Sequence, residues 1–142
     1  GDHLSVFTAG DVRFGIAICY DLRFGPLFRA YALAGVHCVI VPSAWPCSRI
    51  RAWETLVQAR AIDNQFYVIG CNPTGTTPVD RYCGHSLSAD PVGAVIGRGG
   101  EGEELVMTQV DPAKVDAARR RIPVEKDRRP DLYRRLLEDA GG

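Results

Sequence analysis

Lysine is missing from the first hundred residues, and that stretch holds one glutamate, Glu54. A nucleophile there has no lysine to draw on, and the glutamate sits on a mid-chain helical segment with no evident reach to it. No apolar run approaches the ~20 residues that a membrane-spanning helix needs, so a membrane is not an expected partner. No Cys-x-x-Cys pair and no Cys/His cluster has the spacing of a zinc site, so neither a metal nor a cofactor is expected. Excess charge is missing too: 17 Lys and Arg meet 17 Asp and Glu. Arginine is dense at Arg119-Arg120-Arg121, Arg128-Arg129 and Arg134-Arg135, but the segment from Glu101 to Asp139 supplies as many acids. These runs read as a solvated helix face or as interface salt bridges, not as a nucleic-acid surface. No secretory leader pattern, internal repeat or low-complexity tract is visible. The chain opens at Gly1 without a methionine, and the expectation is a polypeptide that begins in the middle of something longer.

What remains suits one domain of 142 residues with a real core, 46% hydrophobic and 24% charged. The five cysteines, Cys19, Cys38, Cys47, Cys71 and Cys83, are odd in number. Cys38 and Cys71 lie inside apolar runs and are expected to be buried and slow to react. Free thiols in a reducing cytoplasm are the expectation.

Leu4 to Thr8 and Val12 to Ile18 read as strands joined by Ala9-Gly10-Asp11. A helix follows from about Pro26 to Ala34, closed by Gly35. The continuous apolar run Val36 to Val41 reads as a strand covered on both faces. Ser48 is a candidate cap for a helix reaching about Asn64, with Ile50, Trp53, Val57 and Ala61 on one face. Phe66 to Cys71 is a second fully buried strand. Residues 12 to 71 thus predict βαβαβ with parallel strands, an α/β fold. Asn72 to Asp80 reads as a loop, followed by short strands near Gly84 to Ala89, Ala94 to Gly97 and Leu105 to Val110. Asp111-Pro112 opens a helix to about Arg121, and a short helix runs from Asp131 to Asp139.

Cys19 ends the alternating strand, just before the helical pattern. A strand-to-helix turn of this kind lifts one side chain to the carboxyl edge of a sheet, among free backbone N–H groups. Both a nucleophilic thiol and a buried inert thiol fit that position. Of the three histidines, His37 opens a buried strand and reads as structural, whereas His85 is a possible base for Cys19.

The order of segments resembles the second half of the nitrilase, or carbon–nitrogen hydrolase, superfamily. The matching pieces are Ile18-Cys19-Tyr20-Asp21-Leu22-Arg23-Phe24, then Ser43-Ala44-Trp45-Pro46, then Arg60-Ala61-Ile62-Asp63-Asn64-Gln65. Tyr82-Cys83-Gly84-His85-Ser86, Asp90-Pro91-Val92-Gly93 and Asp127-Arg128-Arg129-Pro130-Asp131-Leu132-Tyr133 follow in order. The resemblance is closest to the omega-amidase branch. It implies half of an αββα sandwich, with residues 1–142 forming the C-terminal part of one carbon–nitrogen hydrolase domain. It further implies hydrolysis of small non-peptide amides by a Glu–Lys–Cys triad in a homodimer. Cys19 matches the nucleophile, and the Tyr20 N–H matches an oxyanion donor. Ala44 and Trp45 are the candidate substrate contacts, Trp45 equally a residue packed under its loop. The family's Glu and Lys precede the cysteine and have no counterpart here, so the chain alone is expected to be inactive. A non-catalytic interaction module of the same fold and a Cys19–His85 hydrolase are the alternatives. Two positions depart from the family: Phe24-Gly25-Pro26 lacks the acid often found after the nucleophile motif, and Ala52 replaces a histidine before Trp53. Tyr82, Arg60 and Asn64 read as structural.

Overall fold

The computed structural model describes residues 2–141. Strands β1 (Val6–Ala9) and β2 (Val12–Ile16) form a hairpin whose register pairs Ala9 with Val12. The turn places Gly10 at φ +60°, a conformation that glycine adopts without strain. A 3-10 turn, Cys19–Arg23, leads into α1 (Gly25–Leu33), and Gly35 at φ +72° ends that helix. Then come β3 (Cys38–Pro42), α2 (Ile50–Asn64) and β4 (Tyr67–Cys71). The two helical crossovers make β2, β3 and β4 parallel, as the sequence pattern predicts. A small hairpin, β5 (Thr74–Thr76) and β6 (Arg81–Cys83), lies apart from the main sheet. Strands β7 (Leu87–Ala89) and β8 (Val95–Arg98) extend the main sheet antiparallel, giving the order β1-β2-β3-β4-β7-β8. Helices α3 (Pro112–Arg121) and α4 (Pro130–Ala140) follow. Asp111 caps α3 by accepting a hydrogen bond from the Ala113 N–H at 2.9 Å.

Register divides the sheet into two unlike faces. Gly15, Val39, Val68 and Ala89 align across four strands on the face that α1 and α2 cover. With Phe28, Tyr31, Trp53, Val57 and Ala61 from the helices they form the main core. The opposite face carries Phe14-Cys38-Tyr67 and, one pleat on, Ile16-Ile40-Ile69. Val115 of α3 packs on the first of these rows, with Val12, in a smaller core. Towards the carboxyl ends the cover stops: Ile16 is 37% exposed and Ile18 62%.

Three sequence expectations are corrected, at Cys71, Ser48 and residues 105–110. Cys71 is exposed rather than buried, because it ends β4 on the uncovered face, opposite Pro42. The large residues Phe14, Ile16 and Ile18 turn away from the helices, since Gly15 and Ala17 must face them; a Cβ on Gly15 would meet the Tyr31 ring at 2.6 Å. Ser48 does not cap α2, because a 3-10 turn, Cys47–Arg49, precedes the helix and Arg49 takes the cap position. Residues 105–110 form no strand: they pass over β7 and β8 through side chains, as in the Thr108 hydroxyl donating to Ser88 Oγ at 2.7 Å. Within the expected loop after Asn72, the β5–β6 hairpin is additional.

Helix α2 approaches β4 so closely that a Cβ on Gly70 would stand 2.5 Å from Trp53 Cη2. Gly70→Ala must displace a fully buried indole, and overpacking of this kind costs about 1–3 kcal/mol. Urea denaturation of the variant should show a lower midpoint at unchanged slope; an unchanged midpoint would mean that α2 can retreat freely.

Candidate active site

Three segments meet beyond the carboxyl ends of the parallel strands, the edge where open α/β sheets place their chemistry. The first follows β2. Cys19 has φ +49°, in the left-handed region that a non-glycine residue enters at a cost of about 1–3 kcal/mol. Its half-buried side chain packs on the main core. The turn is tied at both ends: the Ile18 N–H donates to Asp21 Oδ2 at 2.8 Å, and the Asp21 N–H to the Ile18 carbonyl at 2.9 Å. That second bond is the first of the turn's own ladder, so the Cys19 and Tyr20 N–H groups precede it. Arg60 of α2 holds the far end, donating from Nε to the Leu22 carbonyl at 2.9 Å and from Nη2 to the Arg23 carbonyl at 3.1 Å. Arg60 and Asn64 are therefore structural, as expected, with Asn64 donating to the Arg60 carbonyl.

The second segment follows β3. Ala44 is exposed and Trp45 is 4% exposed. The Arg23 guanidinium lies 5.0 Å from the Trp45 ring centroid and 5.9 Å from that of Tyr20, bringing the two loops together. Beneath, Trp45 packs on Trp53 at 6.1 Å. The Trp45 indole N–H is buried with no acceptor among the described residues.

The third segment follows β4. Asn72 is buried, and its amide serves three backbone groups. Oδ1 accepts from the Trp45 N–H at 2.7 Å, and Nδ2 donates to the carbonyls of Trp45 at 3.0 Å and Gly84 at 2.7 Å. A buried amide so fully satisfied fixes the loops it joins.

Glu54 and His85 form a cluster that sequence reading missed. His85 Nδ1 lies 3.0 Å from Glu54 Oε1, and Arg98 pairs with the same carboxylate oxygen. The Trp53 indole N–H donates to the His85 carbonyl at 2.7 Å, and His85 has φ +58°. No spacing signal could reveal the cluster, because its members lie on α2, before β7 and at the end of β8. With Nδ1 committed to Glu54, His85 gives the alternative Cys19–His85 pairing no supporting contact. His37, as expected, is structural: its Nδ1 accepts from the Arg13 N–H at 3.1 Å. Burial raises the Glu54 carboxyl, and the hydrogen bonds and charge of His85 and Arg98 more than offset it, leaving Glu54 below its ordinary value of 4.5. Among the described residues no group of three or more His, Cys, Asp or Glu could hold a metal ion, and no helix is long and apolar enough to cross a membrane.

A cysteine at a strained strand-to-helix turn, on a mixed sheet with helical crossovers, places the chain among the α/β proteins. Residues 1–120 match Carbon-nitrogen hydrolase, and the chain belongs to that family. It is 38% identical over 133 residues to a 2-oxoglutaramate amidase of Bacillus subtilis, covering 94% of this chain and 51% of the relative. The crystal structure of Saccharomyces cerevisiae Nit3, in branch 10 of the nitrilase superfamily, superposes with a TM-score of 0.83 at 34% identity. That match covers 91% of this chain and 48% of Nit3. An amidase variant from Nesterenkonia sp. AN1, with the acetamide moiety of fluoroacetamide covalently added at its active-site cysteine, superposes with a TM-score of 0.80 at 26% identity. It covers 95% of this chain and 48% of its own. The chain spans about half the length of the curated relatives it matches.

A carboxylate with a lowered folded value contributes stability above its unfolded value and loses it as pH falls through the folded one. Part of the acid-side loss of stability below pH 4.5 therefore belongs to Glu54. Glu54→Gln should flatten the stability profile in that range, measured by urea unfolding at a series of pH values. Parallel profiles for the two proteins would remove Glu54 from the account.

Proposed function

We propose that the chain supplies the nucleophile half of a small-amide hydrolase of the omega-amidase kind. The observation that carries this reading is Cys19 at φ +49°, directly after a parallel strand. A strained residue there persists only when its surroundings over-determine it, and the Asp21 and Arg60 bonds do so. The covalent adduct on the cysteine of the Nesterenkonia relative supports the same role.

In this reading a glutamate removes the Cys19 proton, and Sγ attacks the amide carbonyl. The Tyr20 N–H and a lysine ammonium stabilise the oxyanion. The C–N bond breaks as the glutamate returns the proton to the leaving ammonia, leaving a thioester. Water, deprotonated by the same glutamate, cleaves the thioester and releases the acid. Trp45 and Ala44 border the substrate in this reading. In this reading the glutamate and the lysine are contributed by a second segment. The Ile16-Ile40-Ile69 row, exposed at Ile16 and only partly covered at Ile40 and Ile69, is the surface suited to it, because two such faces pressed together give the central layers of an αββα sandwich. In the assembled enzyme, a homo-oligomer, the exposed Tyr133, Leu136 and Leu137 of α4 offer a further apolar contact.

The 142-residue chain should label at Cys19 with iodoacetamide well before Cys38, whose thiol burial pushes up to about 12. Alone it should release no ammonia from glutamine-like or short aliphatic amides, since loss of part of a catalytic unit is close to complete loss. Addition of a polypeptide carrying the glutamate and lysine should restore release, and Cys19→Ala should abolish it. Ammonia release that survives Cys19→Ala would overturn the assignment.

A further inference from the structure

We infer that the cavity at the amino-terminal edge of the parallel strands, lined by Arg119 and Gln65, binds a small organic monocarboxylate. It lies at the far end of the sheet from Cys19, where the last turns of α1, α2 and α3 meet the segment that follows α3. Its volume is about 280 Å³, just below the ~300 Å³ at which drug-sized sites begin, so its occupant is a small molecule. Ala32, Leu33, Pro123 and Val124 give it an apolar side. Arg29, Arg119 and Lys126 set three cations there against one carboxylate, Glu125.

The walls stand without a ligand. Gln65, buried and at φ +53°, donates from Nε2 to the carbonyls of Ala118 at 3.1 Å and Ile122 at 2.9 Å, which ties α3 to the end of α2. Arg29 donates to the Asp63 carbonyl at 2.6 Å and pairs with Glu125 at 3.3 Å, which ties α1 to α2 and to the segment after α3. Arg119 is different. Its half-buried side chain donates from Nη2 to the Val36 carbonyl at 3.0 Å, and the rest of the guanidinium has no acceptor among the described residues. Burial draws Arg119 below its ordinary pKa, and the nearby charge of Arg29 adds to the shift against the pull of Asp116. A half-buried cation with unused donors, beside two further cations, is short of an anion. A planar carboxylate answers the guanidinium fork with two parallel hydrogen bonds, and its apolar body then covers Ala32, Leu33 and Val124. Phosphate fits less well: one guanidinium supplies too few donors, and the second charge would face Glu125 and three helix carboxyl ends, each worth about half a negative charge. The site shares no residue with the Cys19 turn and stands whether or not Cys19 is a nucleophile.

Titration of the nitrogen-15-labelled chain with sodium hexanoate, followed by amide NMR shifts, tests the site. Saturable shifts should cluster at residues 29–35, 63–65 and 118–126. Hexanol lacks the charge-assisted bonds and inorganic phosphate lacks the apolar body, and each should bind at least about tenfold more weakly. Arg119→Met should weaken hexanoate by a similar factor. If that variant fails to fold through loss of the Val36 bond, Leu33→Glu decides the matter. Leu33 is 58% exposed, so the change leaves the core alone, and a carboxylate sharing the cavity with Arg119 should exclude hexanoate. Equal affinity for hexanol or phosphate, shifts centred elsewhere, no saturable shift at millimolar hexanoate, or binding unchanged by Leu33→Glu would overturn the proposal.

Discussion

The seating of α2 on the sheet governs everything else in this molecule. Trp53, Val57 and Ala61 form its buried stripe, and Gly70 is the gap in β4 that lets the Trp53 ring descend. From that fixed position the helix reaches out in three directions. Arg60 ties the turn after Cys19, the Trp53 N–H ties the His85 carbonyl, and Glu54 gathers His85 and Arg98. A shift of α2 by a fraction of an ångström would therefore move both sides of the candidate site together. Packing sets the position here, and the polar contacts transmit it.

The second organising element is the convergence of loops at the carboxyl ends of β2, β3 and β4. Parallel strands leave their connections on one edge, and each connection here contributes one kind of part. After β2 comes the strained thiol, after β3 the buried indole, and after β4 the amide that binds the other loops' backbone. The arrangement relies on backbone N–H groups and buried hydrogen bonds, which suits a chain poor in lysine and glutamate over this region.

Much of this was legible in the sequence, within definite physical limits. Alternation in β2 and unbroken apolar runs in β3 and β4 predicted the parallel core, and the three- and four-residue spacing of Trp53, Val57 and Ala61 predicted the face of α2. Periodicity does not say which face of a sheet is covered. Cys71 was therefore read as buried, and the large side chains of β2 turned out to point away from the helices. Residues 105–110 alternate like a strand, and their side chains do pack alternately, but no neighbouring backbone offers them a ladder. The Glu54–His85–Arg98 cluster joins residues distant in sequence, and only the tertiary fold brings them together. The Cys19 turn was readable because its conformation depends on the local chain.

That local geometry also shapes how the position can change. At φ +49° the backbone of Cys19 costs the folded chain about 1–3 kcal/mol, and glycine would relieve that cost. Glycine at this position would relieve the strain and lose the packing of the Cys19 side chain on the main core. Under the proposed function, position 19 therefore sets a reactive thiol against the backbone strain that holds it in place.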